Sequence, residues 1–103
     1  MEMFEYLVIQ DLLKVYKAIV NCKDLKLIAP WAKEIYLKYL SSDPILSDSV
    51  AQYLSNLVVI AYPNIPKLKP LTSRDIKKII KELEKRQQEL EQTKKVRGIT
   101  EHA

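Results

Sequence analysis

LTSRDIKKIIKELEKRQQELEQTKKV, residues 71–96, decides how the rest of the chain is read. Pro70 bars a helix from entering from upstream, because its ring restricts the residue before it and it brings no backbone donor. Thr72 stands where an N-cap hydroxyl can take one of the orphan N–H groups, and Asp75, three residues on, completes a shortened capping box. Leu71 and Ile76 fall at the two hydrophobic-staple positions. Neither glycine nor proline interrupts the run before Gly98, the chain's only glycine and the expected stop.

Placed at about 100° per residue, this helix sorts its side chains by charge as well as by polarity. Ile76, Ile79, Ile80, Leu83 and Leu90 gather on one side as the candidate protein interface. Arg74, Lys77, Lys78, Lys81 and Lys85 gather on the other, within about 60° of one another's mean line, as the candidate nucleic-acid contact. Asp75 and Glu82 lie on one flank, Glu84 and Glu91 on the other. Glu82 with Arg86 and Glu91 with Lys95 have the spacing of i,i+4 ion pairs, each about 0.2–0.5 kcal/mol. After Leu83 the apolar seam thins, with Gln87 and Lys94 at the next seam positions, so the sustained heptads of a long coiled coil are missing. The first three turns are expected to pack on the body, and the remainder to project or meet a partner. The cationic ridge has two readings: a solvated helix face, or a ridge that follows a phosphate backbone.

Charge is uneven along the 103 residues. Residues 67–97 carry eleven Lys or Arg against five acids, a balance of +6, whereas residues 1–66 sum to −1. Such a skew within a net charge of +4 points to an acidic partner, nucleic acid among them. The length is that of one domain, and an apolar share of 48% is enough for a small core. The many Lys, Ile, Leu and Tyr residues resemble the composition of thermophile proteins. A lone cysteine, Cys22, excludes an internal disulfide and is read as packing. Met1-Glu2-Met3 opens acidic with no apolar signal region behind it. The longest uninterrupted apolar run, Leu57–Tyr62, is too short to span a bilayer. The expectation is an intracellular, cytoplasmic protein with no membrane contact.

Upstream, residues 3–21 read as a helix with two adjoining apolar faces, Phe4, Val8, Leu12, Val15, Ile19 and Ile9, Leu13, Tyr16, Val20. That arc is wider than a surface helix needs, so the helix is either central or shared with another chain. A second helix runs from Pro30 to Leu40, or starts near Asp24 and kinks at Pro30. Its expected inward residues are Trp31, Ile35, Tyr39 and Leu40. Ser41-Ser42-Asp43-Pro44 is a turn, and Asp43 or Ser47 can cap the third helix, residues 48–61. The face of that helix is Val50, Tyr53, Leu54, Leu57, Val58 and Ala61. Residues 62–71, with prolines at 63, 66 and 70, read as an extended, semi-rigid arm. Residues 97–103 read as a frayed tail.

Catalytic constellations are missing. The only histidine, His102, lies in the tail, with no second His or Cys nearby to make a zinc site or a nucleophile–base pair. A glycine-rich phosphate loop is excluded by a single glycine. Tyr36 and Tyr39 beside Lys33 and Lys38 could form a stacking patch for single strands, or be core and boundary residues together with Trp31.

The expected fold is all-α: a small three- to four-helix bundle, with helical core 1–61, Pro-rich linker 62–71, an amphipathic basic C-terminal helix 72–97 and tail 98–103. In size, helix content and charge skew the chain resembles small helical subunits of nucleoprotein assemblies, a likeness that no motif carries. The expected role is a non-catalytic accessory subunit of a complex handling nucleic acid. It needs no cofactor, metal or small-molecule substrate, docks through the first and last helices, and makes non-specific contacts to a DNA or RNA backbone. The alternative is a structural homo-oligomer or adaptor with no nucleic-acid contact.

Overall fold

The computed structural model describes residues 2–21, 24–42, 45–62, 64, 65, 67 and 69–102, with 2, 3 and 93–102 described at the backbone only. The described residues form helices and no strand: α1 (Glu2–Asn21), α2 (Leu25–Ser42), α3 (Asp48–Ser55), α4 (Leu57–Ala61) and α5 (Ser73–His102). The all-helical expectation holds.

α1 lies at the centre because its apolar arc is wide enough to serve two neighbours. Val8, Ile9, Leu12, Leu13, Val15 and Tyr16 are all buried, each fully buried aliphatic contributing about 1.5–3 kcal/mol. On one side α1 packs against α2 and α3, and on the other against α5. α5 runs antiparallel to it. The Tyr6 hydroxyl donates to Glu91 Oε1 at 2.7 Å, whereas Ile19 and Val20 meet Leu71 and Ile76 at the other end. α2 is antiparallel as well: the Phe4 and Tyr39 rings meet edge to face at 5.8 Å, and the Tyr39 hydroxyl donates to Asp11. α4 covers the far side of α2. Stacking the elements in this order and letting a 30-residue helix flank one side gives extents of 55 × 27 × 21 Å. The radius of gyration, 14.9 Å, exceeds the value of about 13 Å for a compact chain of this length.

One element boundary follows one of the two starts the sequence reading offers, and two differ from it. α2 takes the earlier of the two expected starts: the Asp24 side chain accepts the Lys26 N–H at 3.1 Å, and Pro30 falls inside the helix. Proline leaves the Lys26 carbonyl without its helical donor, and Lys26 is exposed, so water can serve it. The expected third helix divides at Asn56 into α3 and α4. There the Val59 N–H reaches back only three residues, to Asn56 O at 3.2 Å, which tightens the turn and shifts the phase of the buried face. Ile60 therefore joins Val50, Leu54, Leu57 and Ala61 in the core, while Tyr53 and Val58 are half-buried. α5 passes Gly98 and continues to His102, so the expected stop and tail are instead helical backbone. One glycine inside a helix costs about 1 kcal/mol, too little to end it.

Two side chains expected inside α2 are outside. Its buried stripe is Ile28, Ala32, Ile35 and Tyr39. Trp31 and Leu40 each sit one residue from that stripe, about 100° around the helix, and are exposed. The expected roles of Cys22, Asp43, Pro44, Pro63, Pro66 and the Glu91–Lys95 pair lie outside the described residues or side chains. The described residues of 62–71 are not helical.

The start of α5 is built as the spacing predicts. The Asp75 N–H donates to Thr72 Oγ1 at 3.1 Å, and the Thr72 N–H donates to Asp75 Oδ2 at 3.1 Å. Thr72's backbone N–H, then its hydroxyl, hold the Asp75 carboxyl below the ordinary aspartate range. A depressed folded-state pKa contributes stability that is present above the unfolded pKa and lost as pH falls through the folded one. Acid titration followed by amide exchange is therefore expected to fray α5 from its N-terminus first, and Asp75→Asn to remove that acid limb. Thr72→Ala is expected to cost about 1 kcal/mol in urea denaturation. A Thr72→Ala midpoint equal to wild type would show the box to be idle.

Candidate interaction site on the C-terminal helix

The five cations of the ridge stand where the helical wheel puts them. Arg74, Lys77, Lys78, Lys81 and Lys85 are all exposed on α5. Among the described residues none of them has a carboxylate within 4.0 Å. At about 1.5 Å per residue the ridge is about 16 Å long. Four of the other charges of α5 are engaged: Glu84 pairs with Lys17 at 3.3 Å, Glu91 accepts from Tyr6, and Arg86 binds Glu5 and Glu89. The unpaired positive charge is thereby concentrated on one face.

The seam is a different matter. Ile76, Ile79, Leu83 and Leu90 are buried within the chain against its own core, and Ile80 is half-buried. The sequence reading gives these residues as a protein interface and expects the first three turns to pack on the body; within the chain α5 lies against α1. The reason is the breadth of the apolar arc on α1, which leaves one side open for α5. Nor does the stretch from Arg86 to Glu91 project freely: Arg86, Leu90 and Glu91 hold it to the body. The Glu91 carboxylate accepting from Tyr6 pushes that phenol above its ordinary pKa.

A buried acid that sequence spacing does not single out provides much of this holding. Glu5, 6% exposed, accepts Arg86 Nε at 2.7 Å, the Ser47 hydroxyl at 3.1 Å and the Ser47 N–H at 3.3 Å. Ser47 is the N-cap residue of α3, yet its hydroxyl turns to Glu5 instead of capping its own helix. One carboxylate thus ties α1, the start of α3 and α5. Arg86 Nη1 also reaches Glu89 at 3.3 Å, so the expected Glu82–Arg86 pair gives way to these partners. The hydrogen bond to Glu5 is the main cause that raises the Arg86 pKa above its ordinary value.

The Tyr–Lys patch of α2 is closed from within. Tyr39 is buried, and burial followed by its hydrogen bond to Asp11 pushes its phenol up. The Lys38 ammonium lies 5.0 Å from the Tyr39 ring centroid and 3.9 Å from Asp11 Oδ2. Lys33 lies 5.4 Å over the Tyr62 ring, and Tyr36 is half-buried. These groups bind one another and leave no flat aromatic pair for bases.

Among the described residues, clefts border α5 at two places. One, of about 490 Å³, is lined by Ile19, Val20, Leu25, Leu71, Ile76 and Lys77, with Ser73 at its edge. It lies where the end of α1, the start of α2 and the start of α5 converge. The other, of about 420 Å³, is an open hollow between Lys77, Lys78, Ile80, Lys81 and Glu84. Lys77 belongs to both. Among the described residues no group of three or more His, Cys, Asp or Glu could hold a metal ion. No helix among them is long and apolar enough to cross a membrane. The chain matches no known protein family, no curated protein and no solved structure.

Proposed function

We propose that this chain is a non-catalytic accessory subunit of a larger assembly that handles nucleic acid, with α5 as its phosphate-contacting edge. One observation carries the reading: five exposed cations lie along one helix face without ion-pair partners among the described residues, while acids of the same helix are drawn toward α1. Lysines free of internal partners release counterions when they meet phosphates, and that release drives sequence-independent binding. No recognition motif accompanies the ridge, so the contact we propose is a non-specific one to the backbone of DNA or RNA.

Binding of a labelled duplex or single strand, followed by anisotropy across a salt series, tests the reading. Five phosphate contacts imply a slope of log K against log salt of about −4.5 for duplex DNA. The Lys77→Glu, Lys81→Glu, Lys85→Glu variant is expected to flatten the slope by about 3 and to keep its melting temperature, because all three side chains are at the surface. An affinity and slope unchanged in that variant would reject the ridge.

A second reading, a structural homo-oligomer or adaptor, draws on the apolar surface of α2. Leu27, 72% exposed, and Trp31, 37%, lie one turn apart on one flank of α2, and Leu40, 57% exposed, lies on the other flank. In that reading the contact lies on α2, not on the α5 seam. Light scattering that gives a stable dimer, together with no nucleic-acid shift at low salt, would favour it.

A further inference from the structure

The cleft at the meeting point of α1, α2 and α5 combines aliphatic lining residues with the cation Lys77. Val20 and Leu25 are 46% and 43% exposed although they face a concavity, so the cleft is open and its floor is wetted. The described lining is five aliphatic residues with Ser73 and Lys77, and it offers no aromatic ring on which a base could stack. Lys77 stands at its edge, exposed and unpaired among the described residues, and the hollow beyond it carries Lys78 and Lys81. An occupant must therefore be apolar where it enters the cleft and negative where it leaves along α5. A second copy meeting the cleft face to face would set Lys77 against Lys77.

We infer that this cleft receives an acidic amphipathic segment of a partner protein, with aliphatic side chains inserted between Val20, Leu25 and Ile76 and carboxylates lying along Lys77, Lys78 and Lys81. The inference rests on the accessory-subunit reading and names the partner chemistry of its docking half. Apolar anchors in a pocket provide the affinity of such a contact, and the flanking charge provides speed and selectivity. Lys77, Lys78 and Lys81 are thus shared by the two partners, which compete for them, whereas Lys85, beyond the hollow, meets phosphate alone.

The test uses the full chain and a labelled helical peptide of leucine and glutamate at amphipathic spacing, followed by anisotropy and by amide shift mapping. Saturable binding with shifts centred on Val20, Leu25, Leu71 and Ile76 is expected. Val20→Glu and, separately, Lys77→Glu are each expected to weaken it about tenfold, a change of about 1.4 kcal/mol. Lys77→Glu lies at the surface and keeps the fold, so a misfolded Val20→Glu chain does not blunt the test. Equal binding of the same peptide with lysine in place of glutamate overturns the inference. So does tighter association with phosphatidylglycerol vesicles than with the peptide, or self-association that is abolished by Val20→Glu, or no peptide binding at about 1 mM. Val20→Glu should leave nucleic-acid affinity intact, and Lys85→Glu should lower it without touching peptide affinity. Loss of one activity with the other retained separates a failure of the docking idea from a failure of the phosphate idea.

Discussion

Leu83→Asp is expected to leave the chain unfolded at room temperature. Leu83 has no exposed surface and sits within the α1–α5 contact that joins the two longest helices. Deleting a buried leucine side chain alone costs about 2–5 kcal/mol through lost transfer energy and the cavity left behind. A carboxylate in its place adds several kcal/mol of desolvation, because the buried seam offers it no cation. Small domains hold about 5–15 kcal/mol in total, and the elongated shape puts this one toward the low end. Circular dichroism should therefore show little helix for Leu83→Asp. Leu83→Ala should stay folded and melt about 10–30 °C lower. A Leu83→Asp chain that melts within a few degrees of wild type would mean that α5 does not pack on α1. The ridge would then lose its fixed orientation.

The contrast between Leu83 and Lys81, near neighbours in the chain and opposite in environment, is legible in the sequence because a helix maps residue spacing directly onto angle. So is the Thr72–Asp75 box, whose partners are three residues apart. Local rules fail where distant contacts compete. Arg86 has Glu82 at an ideal local spacing, but Glu5, 81 positions away in the chain, offers a buried carboxylate at 2.7 Å. Burial strengthens that bond, whereas an exposed i,i+4 pair is worth a few tenths of a kcal/mol. Trp31 escapes a local reading for a related reason. Which of several apolar residues on α2 face inward depends on where α1 and α4 lie, and α2 is apolar over too wide an arc to decide by itself. The seam of α5 is recognisable as apolar from its spacing, but spacing does not say what covers it. Its partner is α1, and the sign lies in the two adjoining apolar faces of residues 3–21. The cleft at the convergence of three helices has no signal in the sequence, since its lining comes from residues 19–25 and 71–77.

Arg86→Met is expected to destabilise the chain by about 2–3 kcal/mol, although Arg86 is itself one-third exposed. The cost falls on Glu5. With its carboxylate almost wholly inside, it would keep the two bonds from Ser47 and lose the one cation that the described residues place against it. Removing one partner of a buried pair costs about 3–5 kcal/mol. Partial solvation of the Arg86 side and the remaining Ser47 donors reduce that figure. Glu5→Gln alone should cost less, about 1 kcal/mol, because Arg86 keeps Glu89 and water while the amide oxygen still accepts from Ser47. The double variant Glu5→Gln, Arg86→Met should then be more stable than Arg86→Met, with a coupling of about 1–2 kcal/mol in urea midpoints. Amide exchange adds a spatial prediction. Because Ser47 is held by Glu5 and not by its own helix, protection at the start of α3 should fall in Arg86→Met, although no residue of α3 has changed. Strict additivity of the two substitutions, or unchanged exchange at Val50 and Ala51, would show that the three helices are not joined through this carboxylate and that apolar packing alone sets the tilt of α5.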